Sequence, residues 1–336
     1  MAEFLIIAMG VSAVIYVTLG GADFGAGMVE PLLPEEDRER MAAAIAPVWE
    51  ANHVWLVLVA VLAFVGFPAL YVDVSIYLHV PVLFILLGIV ARGSAFTFRH
   101  YDPEPGLLAP LYSVVFRLSS FSTPLFLGIV VAAMVDGRIG VCEGGTFYEC
   151  YIAPWNTLFG WATGLFLCCL FAFEGAALLA AEHAPEDEGG LPYMELSRRL
   201  HIATMLSGFL VFVAAWATDS PWFADFTNSS IGILAVLFAT AMVPVVALSF
   251  HANRPQLLRF SLGLQTSAIL LGFFVPTFPV LLRLRGDDVV FPDAAASDAV
   301  LFQLTIAVTI GLCVILPGLM YLIAVYKRRS IRKREI

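Results

Sequence analysis

The chain has 336 residues, 60% of them hydrophobic and only 13% charged, with a mean hydropathy of +0.89. A soluble domain carries about a quarter charged residues, so this apolar surface exceeds what one core can hide, and 27 Phe, 6 Trp and 10 Tyr exclude disorder. A formal net charge of −9 without a basic face along the body argues against a nucleic-acid partner; the composition is that of an integral membrane protein.

The first twenty residues read as a retained helix rather than a removable signal. Met1-Ala2-Glu3 supplies no positive region, and the apolar run passes into Gly20-Gly21 and Asp23 without an A-x-A-type site. Crossing a hydrocarbon core takes about 20 mostly apolar residues. Nine segments meet that criterion: Phe4–Leu19, Pro47–Tyr71, Ile76–Ala95, Leu107–Val135, Trp155–Ala181, Leu200–Thr218, Ser229–Phe250, Leu257–Leu282 and Ala299–Tyr326. The connections are short, so the reading is one all-α membrane domain over residues 1–336 with a basic tail over 327–336.

Lys and Arg accumulate on the cytoplasmic side of spanning helices. With nine spans, fourteen of the eighteen cations fall on one side, three (Arg138, Arg283, Arg285) on the other, and Arg117 lies inside the fourth span. This predicts an outer N-terminus and a cytoplasmic C-terminus. The outer connections are acidic and read as solvated loops. Cys142 and Cys150 share one of them, which fits either a disulfide or two free thiols. Trp155, Trp161, Trp216 and Trp222 fall toward the outer interface, as an aromatic belt would.

Ionisable groups inside spans are expensive and mark functional candidates. Ile45-Ala-Pro-Val-Trp-Glu-Ala-Asn-His-Val-Trp55 places Trp49, Glu50, Asn52 and His53 within two turns of a helix that Pro47 would begin. Such a group reads either as a plain helix-start acid with polar neighbours or as a proton relay. Asp23, in Gly20-Gly-Ala-Asp-Phe-Gly-Ala-Gly27, is a helix-end acid or the mouth of a proton path. Arg92 ends the predicted third span, as a snorkelling cation or as a partner for Glu50 or an anionic cofactor group. Arg117 lies nearer mid-membrane, facing protein. Glu174, with Glu182 two turns later, would line a second inner proton inlet. The six histidines fall near span ends or in loops and offer no mid-membrane pair for haem.

Gly21-Ala-Asp-Phe-Gly-Ala-Gly27, Ile45–Leu56 and Arg92-Gly-Ser-Ala-Phe-Thr-Phe-Arg99 resemble the diagnostic stretches of subunit II of cytochrome bd-type quinol oxidases, in order along the chain and on through Phe273-Phe-Val-Pro-Thr-Phe-Pro279. The resemblance implies two pseudo-repeated four-helix bundles (1–135 and 155–282) plus a peripheral final helix (299–326). It implies pairing with a haem-bearing subunit I that oxidises quinol and reduces oxygen to water, no cofactor held by this chain alone, a structural quinone, lipid, and a small single-helix accessory subunit. The family's membrane acid matches Glu50, with Trp49 before it and Asn52 after it. Its Gly-x-Asp-x-Gly acid matches Asp23, and its arginine matches Arg92. The chain departs where the family shows Asp-Gly-x-Asp and this sequence has Gly20, and where an acid is replaced by Thr97. Glu50 stands where Asp is usual and is one methylene longer. The resulting expectation is a proton path through Asp23, Glu50, Asn52, His53 and Glu174 in a prokaryotic cytoplasmic membrane, with Trp49 and Arg92 positioning that acid or a partner's haem propionate. The rivals are a stand-alone secondary transporter, suggested by span prolines, and a quinone-binding haem protein in its own right.

Overall fold

The computed structural model describes residues 1–101, 109–182 and 191–334; the side chains of some of these, 46–51 and 322–334 among them, lie outside the described set. Twelve α-helices follow in order: α1 Ala2–Val29, α2 Glu35–Val61, α3 Pro68–Tyr77, α4 His79–Tyr101, α5 Ala109–Asp136, α6 Phe147–Tyr151, α7 Leu158–Glu182, α8 Leu191–Ala217, α9 Pro221–Asn228, α10 Ser230–His251, α11 Pro255–Phe274 and α12 Asp298–Arg334. Among the described residues, eight helices are long and apolar enough to cross a membrane. A ninth span arises when Asn52–Gly66 and Pro68–Tyr77 are taken together, although they meet at 108°.

That bend has a local cause. After a π-helical turn over Leu62–Gly66, Phe67 leaves the helical region (φ −133°, ψ 64°), as the residue before a proline is pushed to do, and Pro68 opens α3 at its first position. The helix that carries the second span does not begin at Pro47. The helix starts at Glu35, because Glu35–Ala46 is rich in Glu, Arg, Met and Ala, all strong helix formers. The predicted third span is displaced too, since Ile76 still belongs to α3, which ends at Tyr77, and α4 runs on to Tyr101. The eighth stops at Phe274. Val275–Thr277 form a 3-10 turn, and Val280–Leu282 is a strand (β1) paired antiparallel with Val289–Val290 (β2).

α1 packs against α2, α5 and α7; α4 against α5; α7 also against α5, α8 and α11; and α10 against α11. α7 is the most enclosed span, which Gly164 and Gly175 permit by letting neighbouring backbones approach. The β-hairpin covers one end of the helices. Arg283 N–H donates to Met134 O and Arg285 N–H to Ile139 O, and the Arg283 guanidinium donates to Asp225 at 2.7 Å. Cys142 and Cys150 are joined as a disulfide over α6, whose N-terminus carries a capping box between Thr146 and Glu149.

Several expectations at this end change. Trp155 and Trp222 are buried, and Trp222 stacks with Phe159 and Phe273 while its indole N–H donates to Phe273 O. Only Trp161 and Trp216 of the four are exposed. Asp136 is not a solvated loop acid: it is buried, with Arg138 Nε 3.0 Å away.

Candidate functional site

The small residues of Gly20–Gly27 bring three helices against α1, and Asp23 is completely buried among them. Arg92 of α4 meets it with a forked clamp. Its Nη1 donates to Oδ2 at 2.8 Å, and Nη2 donates to Oδ1 and to the Asp23 carbonyl oxygen, both at 2.7 Å. Nε donates to Ser120 Oγ of α5 at 3.1 Å. The guanidinium carbon lies 4.8 Å from the Phe24 ring centre and 4.9 Å from that of Phe116. Thus Arg92 is not a snorkelling cation at the end of its span. It is 2% exposed, α4 continues well beyond it, and its charge is matched within the chain.

Two turns further along, a second charged group repeats the arrangement. Glu30, in the 3-10 turn Glu30–Leu32 that follows α1, is fully buried. It accepts from Arg99 Nη1 and Nη2 at 2.9 and 3.1 Å and from Arg117 Nη2 at 3.2 Å. Arg117 is therefore not an isolated mid-membrane cation but shares this carboxylate with Arg99. Sequence reasoning did not single out Glu30. The available signal was its spacing, since Asp23 to Glu30 and Arg92 to Arg99 are both seven residues.

The remaining candidates surround the glycines of α1. Asn52 of α2 is fully buried, neither amide atom has a partner among the described residues, and a Cβ at Gly20 would run into that amide. His53 of α2 lies near Asp23. Glu174 of α7 is buried; its Oε1 accepts from Thr266 of α11 at 2.8 Å, while Oε2 has no partner among the described residues and abuts Gly21. Asp23 and Arg92 are thus in contact, Asn52 and Glu174 adjoin consecutive residues of α1, and Ser120 and Thr266 join the set without having been foreseen. Trp49, Glu50 and Glu182 have side chains outside the described residues.

Two of the histidines already have occupied surroundings. His201, expected near an interface, is buried with its ring 4.9 Å from Phe173 and 6.1 Å from Phe250, packing that a porphyrin would have to displace. His79 is engaged elsewhere, its Nδ1 lying 2.8 Å from Ile76 O. Among the described residues, no group of three or more His, Cys, Asp or Glu could hold a metal ion.

Apolar helices that cross the membrane eight or nine times, with buried ion pairs and unpartnered polar groups along one of them, define a polytopic helical membrane protein. Residues 1–326 match the family described as cytochrome bd terminal oxidase subunit II, and the chain belongs to that family. It is 33% identical over 121 residues to cytochrome bd ubiquinol oxidase subunit 2 of Bacillus subtilis, covering 35% of this chain and 36% of that one. It is 27% identical over 131 residues to cytochrome bd-I ubiquinol oxidase subunit 2 of Escherichia coli K12, covering 38% and 34%. The aligned stretches thus span about a third of those relatives. Across the whole chain, the structure of bd oxidase from Geobacillus thermodenitrificans superposes with a TM-score of 0.77 at 18% identity, covering 97% of this chain and 98% of that one, which establishes a shared fold.

Proposed function

We propose that this chain is the non-haem subunit of a quinol:oxygen oxidoreductase in a bacterial cytoplasmic membrane. In that complex it would stabilise a haem-bearing subunit I and conduct protons to it from the cytoplasmic side. The haems of that partner supply the electron transfer from quinol and the reduction of oxygen to water. This chain's part is to hold and pass protons, with its N-terminus outside and its C-terminus inside, as the distribution of cations favours. The two-bundle organisation, a structural quinone, bound lipid and a small accessory subunit belong to the same reading.

The observation that carries it is the clamped Asp23. A carboxylate fully inside a membrane protein, with both its oxygens held by a guanidinium that also donates to the Asp23 carbonyl oxygen, is retained at a cost that a purely structural helix contact would not need. For a proton to settle on Oδ1 or Oδ2, one arm of the Arg92 fork must yield, and Ser120 keeps Nε in place while it does. Asn52 offers both a donor and an acceptor within one amide, and His53 exchanges a proton at either ring nitrogen. Glu50, whose sequence position matches the family's membrane acid, belongs to the same path, with Trp49 before it in the sequence. Glu174 provides a further proton-holding oxygen, Oε2, beside Gly21 of α1. A stand-alone transporter gains nothing from the comparisons. Purification through a tag on this chain, followed by a reduced-minus-oxidised spectrum, tests the reading. Haem bands should arrive with a second large subunit and vanish without it; a single colourless polypeptide from native membranes would overturn the reading.

A further inference from the structure

The triad Glu30, Arg99 and Arg117 has no place in that path, yet it is built on the same register. Asp23 meets Arg92 and Glu30 meets Arg99, each 69 positions later in the chain. Seven residues are about two helical turns, or about 10 Å along the axis. Phe116 links the two groups, with the Arg92 guanidinium carbon 4.9 Å and that of Arg99 5.2 Å from its ring centre. The charges differ, however. Asp23 and Arg92 cancel, whereas Glu30 against two arginines leaves one positive charge over. Glu30 is fully buried while Arg99 and Arg117 are 23% and 32% exposed, so much of the field between triad and Asp23 runs through protein, where salt screens it poorly.

We propose that Glu30, Arg99 and Arg117 are positioning residues that set how readily Asp23 takes a proton, through the net charge of the triad and through the Phe116 ring shared with Arg92. The proposal rests on the reading of Asp23 as a proton-carrying acid. The other groups facing Asp23 stay constant in its test: Arg92 from α4, His53 from α2, Tyr16 from α1, Ser120 of α5 on the Arg92 Nε, and Glu174 of α7 at Gly21.

Turnover limited by proton uptake falls as pH rises past the acid's affinity for its proton. Glu30→Gln makes the triad more positive and moves that alkaline limb of quinol-driven oxygen uptake, measured on the purified complex, to lower pH. Arg117→Gln makes it less positive and moves the limb to higher pH. A unit charge about 10 Å away in protein is worth on the order of one pH unit either way, and Glu30→Asp, which keeps the charge, retains the parent profile. A structural brace alone would lower the yield of assembled complex without moving the limbs apart. Profiles of assembled variants that coincide with the parent, or that move in the same direction, overturn the proposal. Where Glu30→Gln does not assemble, Arg117→Gln alone decides. Full turnover in an assembled Asp23→Asn complex would instead refute the underlying path; loss of turnover there, with unmoved limbs in the triad variants, refutes only the role of the triad.

Discussion

Gly25 of α1 and Gly175 of α7 meet backbone to backbone. A Cβ built on Gly25 would stand 2.9 Å from Gly175 N, and one on Gly175 would stand 2.9 Å from Gly25 Cα, with still closer collisions around both. No side chain fits there, so the two helices are held at the distance that glycine permits. This is the small-residue packing by which helices associate in lipid without a hydrophobic drive. The same approach brings Glu174 against Gly21, so the crossing places a site residue as well as fixing the fold.

Substitution at that crossing should therefore act on assembly. Gly25→Val forces α1 and α7 apart, and overpacking of a tight contact costs about 1–3 kcal/mol or more. The expected result is a several-fold loss of monodisperse protein in detergent. Gly10→Ala, in the same helix but with nothing within 4 Å of the added carbon, should leave that yield unchanged.

The Asp23–Arg92 pair gives a prediction with two parts. Removing one partner of a buried pair strands the other charge, at a cost of about 3–5 kcal/mol, whereas replacing both with uncharged residues is often nearly neutral. Asp23→Asn should lower thermal stability markedly, and Asp23→Asn with Arg92→Met should recover most of it. Oxygen uptake should not return in the double variant, and thermal shift and oxygen electrode readings on the same preparation separate the two effects.

The capping box over α6 supplies a pH dependence outside the membrane. Glu149 accepts from the backbone N–H of Thr146 and then from its hydroxyl, which hold its carboxyl below the usual carboxylate range. A depressed folded-state value means that the cap contributes above the unfolded-state range and is lost as pH falls through the folded one. Amide exchange of residues 146–151, corrected for its intrinsic pH dependence, should lose protection on acidification, and Glu149→Gln should flatten that response.

Much of this was legible in the sequence, and the failures share a cause. Apolar runs reveal that a segment is buried or in lipid, so the number of spans and the candidates Asp23, Arg92 and Glu174 could be read directly. Hydropathy carries no direction, so the 108° turn at Phe67–Pro68 was hidden inside a continuous apolar stretch, although Pro68 was its local signal. For the same reason Val280–Leu282 was read as the end of a helix when it pairs with Val289–Val290. Charge pairing between helices is a long-range fact. Glu30 was not singled out and Arg117, read as facing protein, had no named partner, because a seven-residue spacing gains meaning only once it is known which helices become neighbours.

The central claim, that this chain carries protons from the cytoplasmic side through Asp23, is tested most directly by proton uptake in vesicles holding the oriented complex, followed with a pH indicator trapped inside or added outside during an oxygen pulse. In the parent complex, protons should disappear from the compartment facing the C-terminus of this chain. Asp23→Asn with Arg92→Met, assembled and with unchanged haem content, should slow that uptake by at least tenfold. Uptake at the parent rate, or from the opposite compartment, would contradict the account.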